Sequence, residues 1–404
     1  MTEEKAAFLE QRTLTLQVVT PVCIAAGTSL NSREYLYDPK LGKVYLLHQL
    51  EWFKFLHRKR LLPPYERYMK SQDSNSIPPY EWLQNCLGPQ GATQQQLGKA
   101  IKAAVDVHVS LKKTGGRRGV NDIIPTMHLA DGRVYIPGSS IKGMLRTAIL
   151  FHLIRRDSWA SRRKQYWQQI MRMAGALERA NKNHDWQSQK QALKDLERTA
   201  QSIERELLCI LDVDRRNMPL NDALRGLRCG DAMPVATSEK GNTTAILQKI
   251  DITNDYARRL PVFFESMLPG TTFQFSLTIE KAMLAKIGIT SIDELLSIMG
   301  EYYRFLNATF QAAFPERQDL FTTMTEANAY LGRNNGFLQK TLMLALANSR
   351  RDTVPVVRAI LQKQFHNHKH DDKLDKDVSP RTLKGTQYDH TMYLMGGVKI
   401  FDAH

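Results

Sequence analysis

A chain of 404 residues with 42% hydrophobic content is long enough for two domains with cores of their own, and too apolar for a disordered chain. Its formal net charge of +15 points to an anionic partner, nucleic acid first and an anionic membrane surface second, although charge alone also suits an ordinary basic protein. Cys23, Cys86, Cys209 and Cys229 form no Cys-x-x-Cys pair, the start is acidic where a signal peptide is basic, and no apolar run nears the roughly 20 residues of a membrane helix; the expectation is a reduced, soluble, cytoplasmic protein with no membrane partner.

In chain order, Leu14-Thr-Leu-Gln-Val-Val-Thr alternates as a strand that ends at Pro21, and the loop Ala25-Ala-Gly-Thr-Ser follows. Glu34 to Tyr37 and Val44 to Leu47 read as short strands joined through Asp38-Pro-Lys-Leu-Gly42. His48 to Arg60 reads as a helix with a basic end, closed by Pro63-Pro64. Residues 71–98, rich in Ser, Gln, Pro and Gly, read as a loop or weakly ordered insertion. Residues 99–120 hold six Lys/Arg against one acid, Asp106, and Lys112-Lys-Thr-Gly-Gly-Arg-Arg-Gly119 reads as an exposed basic loop.

Val134-Tyr-Ile-Pro-Gly-Ser-Ser-Ile-Lys-Gly-Met-Leu-Arg146 is the most informative stretch. Val134 to Ile136 are strand formers, Pro137-Gly138 break the strand, and Ser139 or Ser140 caps a helix starting near Ile141. Ile141, Met144, Leu145 and Ala148 give that helix one apolar face. Free N–H groups at its start, with Lys142 in the first turn and Arg146 one turn on, suit a phosphate. From Met144 to about Leu211 the pattern is helical, with a break near Asn181 to Asp185; residues 151–180 carry seven Lys/Arg against Asp157 and Glu178. A helical hairpin inserted in an α+β domain is the simplest account.

Arg228 to Thr237 and Thr244 to Ile252 read as strands around Gly241-Asn242, and Thr272 to Ile279 alternates cleanly. Ile292 to Phe314 is an amphipathic helix. Leu331-Gly-Arg-Asn-Asn-Gly-Phe337 is a second glycine loop, before a helix over Leu338 to Ala347. Gln362 to Gly385 is charged and histidine-rich, and Met392 to Phe401 reads as a strand pair. The series strand, helix, strand, glycine loop, helix occurs twice.

Several chemistries fail on spacing. Gly138-x-x-x-x-Gly143 has P-loop glycines, but Met144-Leu145 stands where Lys-Ser/Thr is needed to clamp a nucleotide. Ser139-x-x-Lys142 and Lys113-Thr-Gly115 match two serine-acylase elements in reversed order, and Lys142 replaces the last glycine of a Gly-x-Ser-x-Gly elbow. His366-x-His368-x-His370 would need a strand to share a face, and none is predicted, so no metal or other cofactor is expected. His48, His57, His108 and His128 are scattered, and Asp212 and Asp214 flank a helix end as solvated groups. An ordinary strand-to-helix turn accounts for 137–143 as well as a phosphate site does.

Ile136-Pro-Gly-Ser-Ser-Ile-Lys-Gly-Met-Leu-Arg146 resembles the signature of the RAMP superfamily of CRISPR systems. Leu16 to Gly27 resembles that family's first strand and loop, with Ala26 at a glycine-type position. Glu265 to Phe275, Gly332-Arg-Asn-Asn-Gly-Phe-Leu-Gln-Lys-Thr341 and Met395-Gly-Gly-Val-Lys-Ile400 resemble its later motifs, with Gly397 where tryptophan is common. The set is most similar to the fifth-subunit family of Csm (type III-A) effector complexes.

The resemblance implies an α+β fold of two ferredoxin-like (RRM-like) modules, 1–235 with a helical insertion at about 150–225, and 236–404. It implies a subunit on the 3′ part of the crRNA that aids crRNA maturation and complex assembly in antiviral defence and does not cut RNA. The cutting subunit of such complexes uses an aspartate after the first strand, and Ala25 to Asn31 holds no acid. Its partners would be crRNA, target RNA, and the other Csm subunits, above all the RAMP backbone subunit. On this reading Gly138, Ser139, Ser140, Lys142, Gly143 and Arg146 hold a phosphate, Lys112, Lys113, Arg117 and Arg118 line the track, and Arg333 and Asn334 add a second contact. Backbone and shape are read because a guide's spacer varies. Two rivals stay open: a metal-independent CRISPR endoribonuclease, and a hub that recruits a host nuclease through residues 151–211.

Overall fold

The computed structural model describes residues 8–71, 77–109, 120, 122–211, 218–238, 241–365 and 376–403. In chain order they form strands β1 (Leu9–Val18), β2 (Tyr35–Asp38) and β3 (Lys43–Leu47), helices α1 (Gln49–Arg58), α2 (Leu62–Lys70) and α3 (Pro79–Gly91), then β4 (Ile101–His108) and β5 (Ile123–Ile124). Helices α4 (Gly138–Arg155), α5 (Ala160–Lys182) and α6 (Trp186–Leu208) follow, then β6 (Leu227–Cys229), β7 (Met233–Ala236), β8 (Thr244–Ile252), β9 (Ala257–Met267) and β10 (Thr272–Glu280). Helix α7 (Ile292–Ala313), β11 (Ala329–Tyr330), helix α8 (Arg350–Gln364), β12 (Leu383–Tyr388), β13 (Thr391–Leu394) and β14 (Gly397–Asp402) complete the mixed α/β fold.

One sheet runs β11-β14-β1-β10-β6, with β7 also on β10. Its strands are antiparallel, with Leu14 opposite Phe275 on one side and Asp402 on the other. Leu14, Leu16 and Val18 are almost wholly buried, as the alternation of β1 requires. The second sheet runs β13-β12-β8-β4-β3-β2, with β9 on β8 and β5 on β9. β8 gives one edge to β9 and divides the other: Ala245–Leu247 face β4 in parallel, and Ile250–Ile252 face β12. The expected division between residues 235 and 236 falls inside β7, and strands from both sides of it enter both sheets.

Helices α4 and α7 pack on each other, with the Phe151 ring 4.9 Å from Tyr302 and 4.8 Å from Phe305. Helices α5 and α6 form the expected hairpin, turning where His184 takes a positive φ and Asp185 caps α6 through the N–H groups of Gln187 and Ser188. A further break separates α4 from α5. Arg156 is extended there, and Trp159, the N-cap of α5, stacks on Tyr166 two turns along the same helix. No helix among the described residues is long and apolar enough to cross a membrane.

Four expectations are corrected. Residues 79–91 are helical, not a loop: Trp82 packs on Tyr65 and Tyr68, with Trp52 and Phe55 in the same cluster, and the turn-like composition survives only as a kink at Gly88. Pro63-Pro64 do not close a helix but open α2, where missing N–H donors cost nothing. Residues 338–347 are two short helical turns, not one helix, because Thr341 is extended and Tyr302 Oη donates to Gln339 O. β13 and β14 do not pair. Gly396, at φ 94°, sends the chain from one sheet into the other, and a Cβ at Gly397 would meet Met324 and Thr20.

Candidate functional site

Helix α4 starts at Gly138, earlier than the sequence suggests, with Pro137 as its N-cap and no hydroxyl cap from Ser139 or Ser140. The reason is Asp231, whose Oδ1 accepts the Gly138 N–H at 2.7 Å and puts a carboxylate at the positive helix end. Gly138 itself answers to a close approach: a Cβ there would lie 2.1 Å from the Cys229 carbonyl. Ser139 is exposed, Ser140 half-buried, and Ser140 N donates back to Pro137 O.

Lys142 and Arg146, expected to partner a phosphate, are engaged inside the fold. Lys142 Nζ donates to Leu224 O and Leu227 O, both at 2.8 Å. Arg146 forms ion pairs with Glu204 at 2.8 Å and Asp222 at 3.0 Å; although burial works against its charge, these carboxylates hold its pKa above the usual guanidinium value. Both side chains therefore fasten α4 to α6 and to the segment before β6. Their partners lie more than one element away in sequence, which the spacing within the motif could not reveal.

The second glycine loop lies against the first strand's exit. Gly332, at φ 98°, lets Arg333 N donate to Cys23 O at 2.9 Å, and a Cβ on Gly332 would meet that same carbonyl at 2.7 Å. Arg333 is exposed, Asn334 half-buried and Asn335 buried. Lys340 Nζ donates to Arg333 O at 2.7 Å. Partial dehydration, and then the charge of Arg333, pull the Lys340 ammonium down to about 8. Lys249 on β8 is lowered by burial, then by Lys384, and also by Arg333. Lys384 is balanced by Asp251 at 2.8 Å, whereas Arg333 and Lys340 have no carboxylate partner among the described residues. Lys340 stands within a recognisable motif. Lys249 does not, and only the sheet pairing brings it into the group.

These loops face one another across a cleft of about 400 Å³. Ile24 and Ala25 of the first loop, Ser140 and Gly143 of α4, and Arg333 and Lys340 of the second loop all line it. Parts of the sequence motifs at 21–27, 138–143 and 332–341 thus converge, while Gly138, Ser139, Lys142, Arg146 and Asn334 lie off the lining. No histidine or carboxylate lines the cleft among the described residues. Lys112, Lys113, Arg117 and Arg118, the histidines at 366–370, and Asp212 and Asp214 lie outside the described residues. Among the described residues no cluster of His, Cys, Asp and Glu could hold a metal ion.

The first loop is held in place by a buried network. Thr126 Oγ1 donates to Ile24 O, and Thr126 N donates to Glu265 Oε2. Glu265 also receives the Thr244 hydroxyl and the His128 ring. Burial pushes the Cys23 thiol up to about 12, so it is an inert core group.

The sequence pattern of the RAMP superfamily matches residues 15–282. The chain is 24% identical to the CRISPR system Cms protein Csm5 of Mycobacterium tuberculosis (strain ATCC 25618 / H37Rv), over 96% of each chain. It is 22% identical to the protein of the same name from Streptococcus thermophilus, over 86% of each. Its fold is similar to a chain in a cryo-EM structure of a Csm-crRNA-target RNA ternary complex of a type III-A CRISPR-Cas system, at TM-score 0.64 and 18% identity, covering 97% of this chain and 100% of that one. It is also similar to a crystal structure of T.onnurineus Csm5, at TM-score 0.57 and 17% identity, covering 95% and 99%.

Proposed function

The chain belongs to the RAMP superfamily, and we propose that it is an RNA-binding subunit of a type III-A (Csm) CRISPR effector, one that holds guide RNA by its backbone without cutting it. One observation carries the reading. Two glycine loops far apart in sequence meet across one cleft, and the rim cations Arg333 and Lys340 have no carboxylate partner among the described residues. Cations without a carboxylate partner at one concavity suit phosphates. The relatives of matching length support membership of a Csm complex, and the ternary complex containing a similar chain supports crRNA, target RNA and other Csm subunits as partners. On this reading the subunit sits on the 3′ part of the guide, beside the RAMP backbone subunit, and aids maturation and assembly.

The path β1–α4–β6–β10–α7–β14, in sheet order β14-β1-β10-β6, supports one ferredoxin-like module. An endoribonuclease needs a proton acceptor at the 2′-hydroxyl, and whether repeat RNA is cut separates that reading from the scaffold. The test is a filter-binding titration of single-stranded RNA against salt. Arg333→Ala with Lys340→Ala is expected to weaken binding and to flatten the log–log slope by roughly 0.7 for each phosphate no longer neutralised; an unchanged slope overturns the reading. Incubation with repeat RNA in EDTA is expected to leave the RNA intact, and cleavage products would favour the endoribonuclease.

A further inference from the structure

We propose that the cleft between the glycine loops receives a single unstacked nucleotide of the bound RNA: base inward on the apolar lining, ribose 2′-hydroxyl at Asn335, phosphate at the Arg333–Lys340 rim. The proposal rests on the RNA-binding reading and adds to it a pocket for a base, where backbone contact alone needs only a charged surface.

Three observations point to it. First, the cleft is a concavity of about 400 Å³ whose interior is mainly apolar, with Met144, Tyr302 and Ile24 among its walls and the cations at its mouth. That volume lies in the range of small-ligand sites, about 300–1,000 Å³, and an RNA duplex does not enter it. Single-stranded RNA is characteristically held by splaying bases onto aromatic and apolar side chains.

Second, Asn335 lines the cleft with only 5% of its surface exposed, and its Oδ1 has no hydrogen-bond partner. A buried amide left unpaired is costly, and a 2′-hydroxyl, both donor and acceptor, would satisfy it whichever way the amide is turned.

Third, Gly143 is not required by the fold. It sits inside α4, where glycine weakens a helix relative to alanine. Its backbone is not left-handed, and a Cβ there would meet nothing within 4 Å. Gly138, Gly332 and Gly396 all answer to a close backbone approach or a positive φ; Gly143 answers only to open space above it, and that space is the cleft.

The experiment is photo-crosslinking of the full chain to single-stranded RNA in which 4-thiouridine is scanned along the strand, with free 4-thiouridine monophosphate as a second arm. One RNA position is expected to crosslink to peptides containing Met144 or Tyr302, and the free mononucleotide is expected to give no such product. Removing the base at that position, or replacing its ribose by deoxyribose, is expected to weaken binding, by about tenfold for the base. Gly143→Trp, which fills the cleft, is expected to abolish the crosslink and to bind intact and abasic RNA equally. Salt-dependent RNA binding with crosslinks only outside the cleft, or an abasic strand that binds the natural protein as well as the intact one, overturns this proposal alone. Equal crosslinking by the free mononucleotide overturns it in favour of a small-molecule site. Absence of RNA binding altogether overturns it together with the proposed function.

Discussion

His128 Nε2 lies 2.8 Å from Glu265 Oε2, and its Nδ1 lies 2.8 Å from the Gly132 carbonyl. Both ring nitrogens therefore face acceptors, which only the doubly protonated imidazolium satisfies. The pair is buried, with 5% and 0% of the side chains exposed. Burial opposes the charge on His128, but the hydrogen bond and charge of Glu265, helped by the Gly132 carbonyl, raise its pKa above the ordinary histidine value. Through Thr126 the same carboxylate positions the loop that forms one wall of the cleft.

A pH dependence of stability follows. A histidine whose folded pKa is raised contributes fully below its unfolded value of about 6.5 and loses that contribution as pH rises through the folded value. Urea unfolding is expected to show the natural protein losing stability across that window, and His128→Gln to lose this dependence. His128→Ala, which strands a buried carboxylate, is expected to cost about 3–5 kcal/mol. A His128→Gln protein with the natural pH profile would contradict the assignment.

Lys142→Ala is expected to act on stability and not on the electrostatics of RNA binding. It leaves the Leu224 and Leu227 carbonyls without their shared donor, at a cost of about 1–3 kcal/mol. Urea midpoints should fall, while the salt slope of RNA binding by the folded variant stays at the natural value.

RNA affinity is expected to decline as pH rises through about 8, where Lys340 loses its proton. A bound phosphate requires the ammonium, so above that pH binding must take up a proton. Lys340→Arg stays charged and should remove the decline; fluorescence titrations at a series of pH values at constant ionic strength check this.

Two glycines of the cleft are expected to respond oppositely to alanine. Gly332→Ala places a Cβ against the Cys23 carbonyl at a positive φ and should destabilise by about 1–3 kcal/mol. Gly143→Ala meets open space and should stabilise the helix by about 0.8–1 kcal/mol. Thermal or urea unfolding of the two variants distinguishes them.

Strands β1 and β10 and helix α7 were legible because each packs one face on a core and so prints its period into the sequence, and β8 because its apolar run Ala245–Leu247 is buried on both faces. The glycine loops were legible for a different reason: Gly138 and Gly332 satisfy steric demands that few other residues meet. The partners of Lys142 and Arg146 were not, because Glu204, Asp222 and the 224–227 carbonyls reach them only through tertiary packing. Lys249 was hidden likewise: it is one of four half-buried residues among the nine of β8, and only the sheet brings it within the field of Arg333. The helix at 79–91 was masked by its glycines and prolines, and its aromatic contacts override them.

Strand β1, at residues 9–18, lies between β10 and β14, which begin at residues 272 and 397. During synthesis it therefore emerges with neither neighbour in existence. At about 5–20 residues per second, roughly 20–75 s pass before residue 402 is made and the second edge can close. Over that interval an amphipathic strand with two open edges is a template for wrong pairing. The long sequence separation also makes closure slow, because loop entropy is lost before contacts repay it. The strand that leads into the cleft is thus among the last to acquire its native neighbours, and the cleft itself cannot form until the far side of the sheet is made.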